Sequence, residues 1–185
     1  MEKNNKGRSD PCVLGIAPSS RGLGFAIMRK GNVLVDWGVK SVTSGNKNEQ
    51  CLARLAELIE DYEPLTIVTE DCSKASHRSQ RIQALMDECS DLAEMAGIRV
   101  RRLSRKHVNV HILKNKDGTK HQLAEALSQK YPEQLGFRLP AKRRPWTSES
   151  YQMDIFDAVA LAQCYWKSKR RFHSRLGRHS GRPIG

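Results

Sequence analysis

The sequence predicts an α/β fold in which helices flank one mixed β-sheet. Short apolar runs separated by tight turns come first, and amphipathic helices then alternate with β-branched runs. Strands joined by tight turns pair antiparallel, whereas strands joined through a helix usually pair parallel. We therefore expect a five-stranded sheet with three antiparallel strands followed by two parallel ones.

Three strands are expected near the amino-terminal end of the chain. Residues 13–16 are apolar and are followed by a turn at residues 19–22, after which residues 24–28 form a second apolar run. The dipeptide Gly31-Asn32 precedes the third run at residues 33–35. Such a dipeptide favours a tight hairpin, so the second and third strands should pair antiparallel.

Helices and two more strands fill the middle of the chain. Apolar residues repeat at helical spacing in residues 49–62, which Pro64 closes, and again in residues 82–96, which Gly97 ends as a left-handed cap. The β-branched run 65–69 follows the first of these helices, and the run 98–103 follows the second. Both runs are predicted to be strands.

The last third is predicted to contain two helices and a loop. Thr119 and Gln122 have the spacing of a capping box, which opens a helix that ends near Lys130. Residues 132–146 are rich in proline and basic residues and are predicted to be a loop, and the final helix should span about residues 150–167.

The charge balance favours a polyanionic partner. Lys and Arg number 32 against 20 Asp and Glu, which gives a formal net charge of +12 and a pI near 9.8. An ordinary basic domain without such a partner is the alternative. The start of the chain lacks the apolar core of a secretory signal, and no run approaches the roughly 20 apolar residues of a membrane span. We therefore expect a cytoplasmic protein that does not contact a membrane.

The cysteines and the chain ends complete the organisation. Five scattered cysteines, without a CxxC pair or a nearby Cys/His set at zinc spacing, predict reduced buried thiols. Residues 1–11 form a polar extension, residues 12–167 one domain, and residues 168–185 a basic tail that includes Lys169, Arg170 and Arg171. The tail is either a solvated extension or a phosphate-binding arm.

Three acidic residues are candidates for a common site. Asp154 and Asp157 lie three positions apart, which places both on one face of the last helix. Facing inward, they would need a cation or a hydrogen-bond donor, and the alternative is that both face solvent. Glu70 ends the fourth predicted strand, where α/β sheets usually place their sites.

These residues also resemble a known family. The segment 14–24, Glu70 after its hydrophobic strand, and the segment 152–162 resemble the acidic motifs of RuvC-type Holliday junction resolvases. The resemblance covers about residues 13–166 and implies a ribonuclease H-like fold. It identifies residues 12–167 as a RuvC-like nuclease domain.

The resemblance implies a metal-dependent, structure-selective DNA endonuclease. In the family, four carboxylates hold two Mg²⁺ ions, for which Mn²⁺ should substitute, and the ions activate water for phosphodiester hydrolysis. Glu70, Asp154 and Asp157 match three of these catalytic and metal-binding positions, and Ala17 stands where the family has Asp. A methyl group cannot bind metal, so the chain as written should bind the ions poorly and cleave little. Either the alanine was introduced to trap a substrate, which the three intact acids favour, or this is a natural member that has lost catalysis.

The resemblance also points to DNA contacts. Lys120 matches a catalytic lysine at a helix start, whereas Asn109 stands at the family's other lysine and Ser73 at an aromatic position. The predicted nucleic-acid-binding residues are Arg21, Arg105, Lys106, Lys116, Lys120, Lys142, Arg143, Arg144, Lys169, Arg170 and Arg171. Trp146 is interpreted either as a stacking surface or as core.

The expected partner is branched or otherwise structured DNA, with no small-molecule cofactor. The alternative function is a non-catalytic RuvC-like subunit for nucleic-acid binding or assembly. The family's symmetry suggests a homodimer, although the sequence is compatible with a monomer as well. The apolar stripe of residues 82–96 fits either a dimer interface or packing on the sheet.

Overall fold

The structure, a computed structural model, describes residues 10–43, 45–72, 78–144 and 146–176, with side chains up to residue 168. The strands are β1 (Cys12–Ser19), β2 (Gly22–Arg29), β3 (Val33–Ser41), β4 (Thr66–Glu70) and β5 (Arg99–Leu103). The helices are α1 (Lys47–Tyr62), α2 (Gln80–Met95), α3 (Arg105–Leu113), α4 (Lys120–Lys130), α5 (Pro132–Leu135) and α6 (Met153–Leu176), and a 3₁₀ turn spans Gly136–Arg138.

The five strands form the mixed sheet that the sequence predicts. Their order is β3-β2-β1-β4-β5, with β1 antiparallel to β2, β2 antiparallel to β3, and β4 parallel to both β1 and β5. The predicted hairpin between β2 and β3 is confirmed, and both Gly31 and Asn32 have positive φ angles, of 85° and 64°. This arrangement is the predicted ribonuclease H-like architecture.

Two helical layers cover the sheet. Leu14 and Ile16 of β1 pack with α1 and α2, whereas Val13 and Ala17 pack on the opposite face with α3, α4 and α6. Successive residues of a strand point to opposite faces, so Glu70, two positions after the α6-facing Val68, belongs to the α6 face. Ala17 and Glu70 thereby share the face on which α6 lies.

Helix α6 lies directly against the backbone of β1 and β2. A Cβ atom at Gly15 would lie 2.2 Å from the carbonyl oxygen of Ala158, and one at Gly24 would lie 2.4 Å from that of Asp154. Only glycine permits so close an approach at either position. The amino-terminal half of α6, with both of its aspartates, is therefore held over these two strands.

Helix α2 faces the interior of its own chain. The stripe in residues 82–96 includes the buried side chains of Leu85, Cys89 and Ala93, which pack with α1 and the sheet. Packing on the sheet thus accounts for this stripe, and the dimer interface suggested for it is not needed.

The secondary structure differs from the prediction in three places. Helix α3 was not predicted, because it is short and buries only Val108 and Asn109. The predicted loop 132–146 begins with α5 and the 3₁₀ turn. The last helix starts at Met153 and continues past the predicted end at residue 167, so the first residues of the basic tail are helical.

The structure also bears on the cysteines and on membranes. All five cysteines are free thiols, and four of them are buried. None of the helices in the described ranges combines the length and apolarity of a membrane-crossing segment. Residues 1–9 and 177–185, at the two predicted extensions, lie outside the described residues.

We predict that Gly15→Ala lowers the free energy of unfolding by about 1–3 kcal/mol, because the added methyl group overlaps the Ala158 carbonyl. Urea unfolding measures this change. Gly136→Ala is the control, since a Cβ atom there meets nothing within 4 Å, and it should shift the stability by less than about 1 kcal/mol. Equal stabilities of the two variants would contradict the close approach of α6.

Candidate active site

A narrow pocket lies where β1 and β4 end, beneath α3 and α6. Its lining combines a methyl group, two carboxylates and two guanidinium groups from distant parts of the chain. The lining residues are Ala17, Pro18, Glu70, Arg78, Met86, Leu103, Arg105, Val108, Asp157 and Leu161.

Asp157 is the most buried acid of the site. It is 4% exposed, its Oδ1 accepts a hydrogen bond from Arg105 Nη1 at 2.6 Å, and its Oδ2 lies 3.3 Å from Lys120 Nζ. Burial by itself would raise the pKa of this carboxyl, but the charges of Arg105 and Lys120 outweigh burial and hold the pKa below its ordinary value. Asp157 is therefore a charged carboxylate whose two oxygens already face cations.

Glu70 is paired in the same way. Its Oε1 lies 3.3 Å from Arg105 Nε, and its Oε2 accepts a hydrogen bond from Arg78 Nε at 3.1 Å. Arg78 also donates to the carbonyl oxygen of Pro18 at 3.0 Å, which joins the ends of β4 and β1. The Arg105 guanidinium thus bridges Glu70 and Asp157. Burial disfavours the charged form of this guanidinium, but Asp157 and Glu70 outweigh burial and raise the pKa of Arg105 above its ordinary value.

Asp154 lies one turn before Asp157 and is half-buried. Burial is the largest influence on its pKa, which rises from 3.8 to about 6; a hydrogen bond with Ser19 opposes the shift and the charge of Asp157 adds to it. Neither aspartate lies on a fully solvated helix face, so the solvent-facing alternative for the pair does not hold.

Lys120 is the first residue of α4, and the predicted capping box formed by Thr119 and Gln122 is present. Its Nζ lies 2.8 Å from a carboxylate oxygen of Glu149 in addition to its contact with Asp157. These two acids raise the pKa of Lys120, although burial opposes the shift. The half-buried lysine therefore contacts two carboxylates, of which Asp157 also lines the pocket.

The residues present do not fit a pair of magnesium ions. Ala17 offers no oxygen, and Arg78, Arg105 and Lys120 already neutralise most of the acidic charge. Within the described ranges, no three of these acids bring carboxylate oxygens within 4.8 Å of one another. Two dications need close oxygen ligands that are free to bind them. The carboxylates are instead paired with arginine and lysine side chains of the same chain.

The predicted DNA-contact residues divide into two groups. Arg105 lines the pocket and Lys120 lies beside Asp157, and both are paired with acids. Side chains that are exposed belong to Arg21, Lys106, Lys116, Lys142, Arg143 and Arg144. The side chains of Lys169, Arg170 and Arg171 lie outside the described residues.

Asn109 and Ser73 stand at the two positions that depart from the family pattern. Asn109 is buried, and its Nδ2 donates to the carbonyl oxygens of Gly118 at 2.7 Å and Lys116 at 3.4 Å. It therefore supports the loop before α4 and does not reach the surface. Ser73 lies outside the described residues.

Two residues of the site were missed in the sequence. Arg78 follows Glu70 in a polar segment without periodicity, and Glu149 precedes α6 in an irregular stretch. The sequence carried one relevant signal, since an inward-facing aspartate pair requires a cation. That signal predicts a partner but does not say which basic residue supplies it.

The chain has a ribonuclease H-like fold, in which Glu70 of β4 and Asp157 of α6 are paired with basic side chains beside the ends of β1 and β4. Among solved structures, the chain is similar to Thermus thermophilus RuvC in complex with a Holliday junction substrate, with 20% identity, a TM-score of 0.63, and coverage of 90% of this chain and 96% of that one. The chain is also similar to another structure of Thermus thermophilus RuvC, with 18% identity, a TM-score of 0.60 and the same coverage.

A viral protein shows the same likeness. The Fowlpox virus resolvase, solved with its Holliday junction DNA, has 14% identity, a TM-score of 0.57, and coverage of 85% of this chain and 98% of that one. At these identities the likeness establishes the fold. No protein-family model matches the chain, and no curated protein matches its sequence.

We predict that Arg105→Gln lowers the free energy of unfolding by about 3 kcal/mol near neutral pH, because it leaves the buried Asp157 without its main partner. The loss should shrink as the pH falls and Asp157 becomes protonated. Arg54→Gln is the control: its pair with Glu57 is about half exposed on both sides, so the change should stay below about 1 kcal/mol. Similar losses in the two variants would contradict the bridging role of Arg105.

Asp154 should make stability depend on pH in the opposite direction. Because folding raises its pKa to about 6, the stabilisation is complete below the unfolded value of 3.8 and is lost as the pH rises through about 6. Asp154→Asn should therefore be more stable than the original chain at pH ~8, by on the order of 1 kcal/mol after allowance for partial exposure, and similar to it at pH ~4. Unfolding in chelator at both pH values tests this, and a variant that is less stable at the higher pH would contradict it.

Proposed function

We propose that this chain binds branched DNA on a resolvase-like fold and does not cleave it in its present form. The observation that carries the proposal is the Arg105 guanidinium between Glu70 and Asp157, beside the methyl group of Ala17. Guanidinium groups remain protonated and do not exchange with solvent cations. The carboxylates of the pocket are therefore neutralised by arginine side chains of the same chain. This supports the non-catalytic binding subunit, which was the alternative function in the sequence analysis.

The exposed basic residues support nucleic acid as the partner. Lys142, Arg143 and Arg144 lie together in the segment before α6, beside Trp146, whose side chain is 78% exposed. Basic side chains next to an exposed aromatic ring suit a phosphate backbone with an unpaired base. Lys106 and Lys116 add positive charge near α3 and α4, and the basic tail of residues 168–185 is proposed as a further phosphate-binding arm.

A four-way junction is the proposed substrate class because the solved complexes of this fold contain Holliday junction DNA. Such a junction has two symmetry-related halves, which a homodimer matches. We therefore include a homodimer in the proposal, with an interface other than the buried stripe of α2.

A metal-dependent endonuclease is the second candidate function. Its support is that Glu70 and Asp157 line the pocket with Ala17, the position where the resolvase motif has Asp, and that Asp154 lies one turn before Asp157 on α6. In that interpretation the alanine alone removes activity, and Mg²⁺ or Mn²⁺ binds once the fourth carboxylate returns.

The decisive experiment compares this chain with Ala17→Asp on a four-way junction, a linear duplex and a single strand of matched sequence. Binding is measured in chelator at several salt concentrations, and cleavage is measured with Mg²⁺ and with Mn²⁺. We expect both proteins to prefer the junction, to lose affinity steeply as salt rises, and to leave every substrate uncut.

The two candidate functions give different outcomes. Metal-dependent cutting by Ala17→Asp alone would overturn the non-catalytic proposal and establish the endonuclease. Equal affinity for all three substrates would remove branched DNA as the partner. An Arg143→Gln/Arg144→Gln variant should reduce the dependence of affinity on salt by about one phosphate contact per residue, and an unchanged dependence would exclude this basic segment from the interface.

A further inference from the structure

A second group of chemically active side chains lies away from the carboxylate pocket. His107 and His111 occupy α3, and Cys164 lies on the facing side of α6. One ligand atom from each residue lies within 4.8 Å of the others, and in the described part of the chain no other set of three or more His, Cys, Asp or Glu residues meets this spacing. The sequence predicted no such set, because only folding brings Cys164 to the two histidines.

We infer that His107, His111 and Cys164 form a binding site for a zinc-type transition-metal ion. Histidines four positions apart on a helix share one face, as paired metal-binding histidines do. Imidazole and thiolate ligands select zinc, cobalt or copper over magnesium and calcium. Three protein ligands leave the fourth tetrahedral position to water.

A hydrogen bond within α3 leaves Nε2 of His111 available as a metal ligand. Its Nδ1 lies 3.0 Å from the carbonyl oxygen of His107. A carbonyl oxygen can only accept a hydrogen bond, so Nδ1 carries the proton and a neutral ring keeps the lone pair on Nε2. Metal-bound histidines are typically held in this way, with the other ring nitrogen donating to a backbone carbonyl or carboxylate. The His107 ring lies beside it, with 4.2 Å between ring centroids.

Local charge favours an ion that binds sulfur strongly. Cys164 is fully buried as a free thiol, so a metal must displace the thiol proton to solvent as the metal–sulfur bond forms. Lys114 and Lys167 place their ammonium groups 3.4 Å and 3.3 Å from the His111 carbonyl oxygen. These positive charges disfavour a dication held by neutral ligands alone, and the thiolate offsets one unit of charge.

The site would join the two helices that also supply the carboxylate pocket. Arg105 precedes His107 on α3, and Asp157 lies two turns before Cys164 on α6. A metal ion between α3 and α6 would therefore hold the Arg105–Asp157 pair in place as a structural clamp. This inference does not depend on the proposed DNA-binding function.

Cobalt titration of the full chain under reducing conditions tests the site, since thiolate ligation gives cobalt an intense charge-transfer absorption. We expect this absorption to saturate at one equivalent, to be displaced by Zn²⁺ and to be unaffected by Mg²⁺. Cys164→Ala should abolish it. His107→Gln changes an exposed residue, so it should fold normally and weaken cobalt binding by at least about tenfold. Zn²⁺ should raise the Tm of the original chain and leave that of His107→Gln nearly unchanged.

Two control variants test whether the cobalt absorption comes from Cys164 and the two histidines of α3. Cys72→Ala removes the partly exposed thiol, and His121→Gln removes a histidine paired with Glu125 on α4; both should retain the cobalt absorption. No thiolate absorption in the original chain would overturn the inference. So would absorption that persists in Cys164→Ala or disappears in Cys72→Ala. If Cys164→Ala does not fold, unchanged cobalt affinity in His107→Gln overturns it instead.

Discussion

The approach of α6 to the backbones of β1 and β2 is the constraint on which the rest of the structure depends. Glycines at positions 15 and 24 let the helix carbonyls lie where any other residue would place a Cβ atom. This contact fixes the height of Asp154 and Asp157 above the sheet, and further along the same helix it sets the position of Cys164. The carboxylate pocket and the His107–His111–Cys164 group therefore both depend on these backbone contacts of α6.

Burying Asp157 against the sheet creates an electrostatic requirement that its surroundings must meet. An unpaired carboxylate in that place would be strongly destabilising, and the protein places Arg105 and Lys120 beside it. A bound metal ion could satisfy the same requirement, but it would exchange with solvent, whereas a guanidinium group is a permanent part of the chain. With Ala17 supplying no fourth carboxylate, the balance of charge in the pocket favours the internal cations. The likeness to resolvase structures concerns the fold.

The sheet could be predicted because its signals are local. Tight turns, β-branched runs and the capping box at Thr119 each depend on neighbouring residues, and the structure confirms the elements they predict. Helix α3 escaped prediction because it is short and its only buried residues are Val108 and Asn109, which give too little apolar periodicity to indicate a helix. Arg105 was expected on a basic surface, and nothing in its neighbours along the chain indicates that it turns inward.

The sequence by itself determined the fold class and the strong positive charge, because each follows from composition or from short local patterns. Tertiary structure decided which cations meet the acids and which histidines meet Cys164. Ion pairs and metal ligands require side-chain atoms within a few ångströms, and the residues that supply them come from elements far apart in the chain. Periodicity and turn chemistry carry no information about such distances, so these contacts became visible only when α3 and α6 were placed on the sheet.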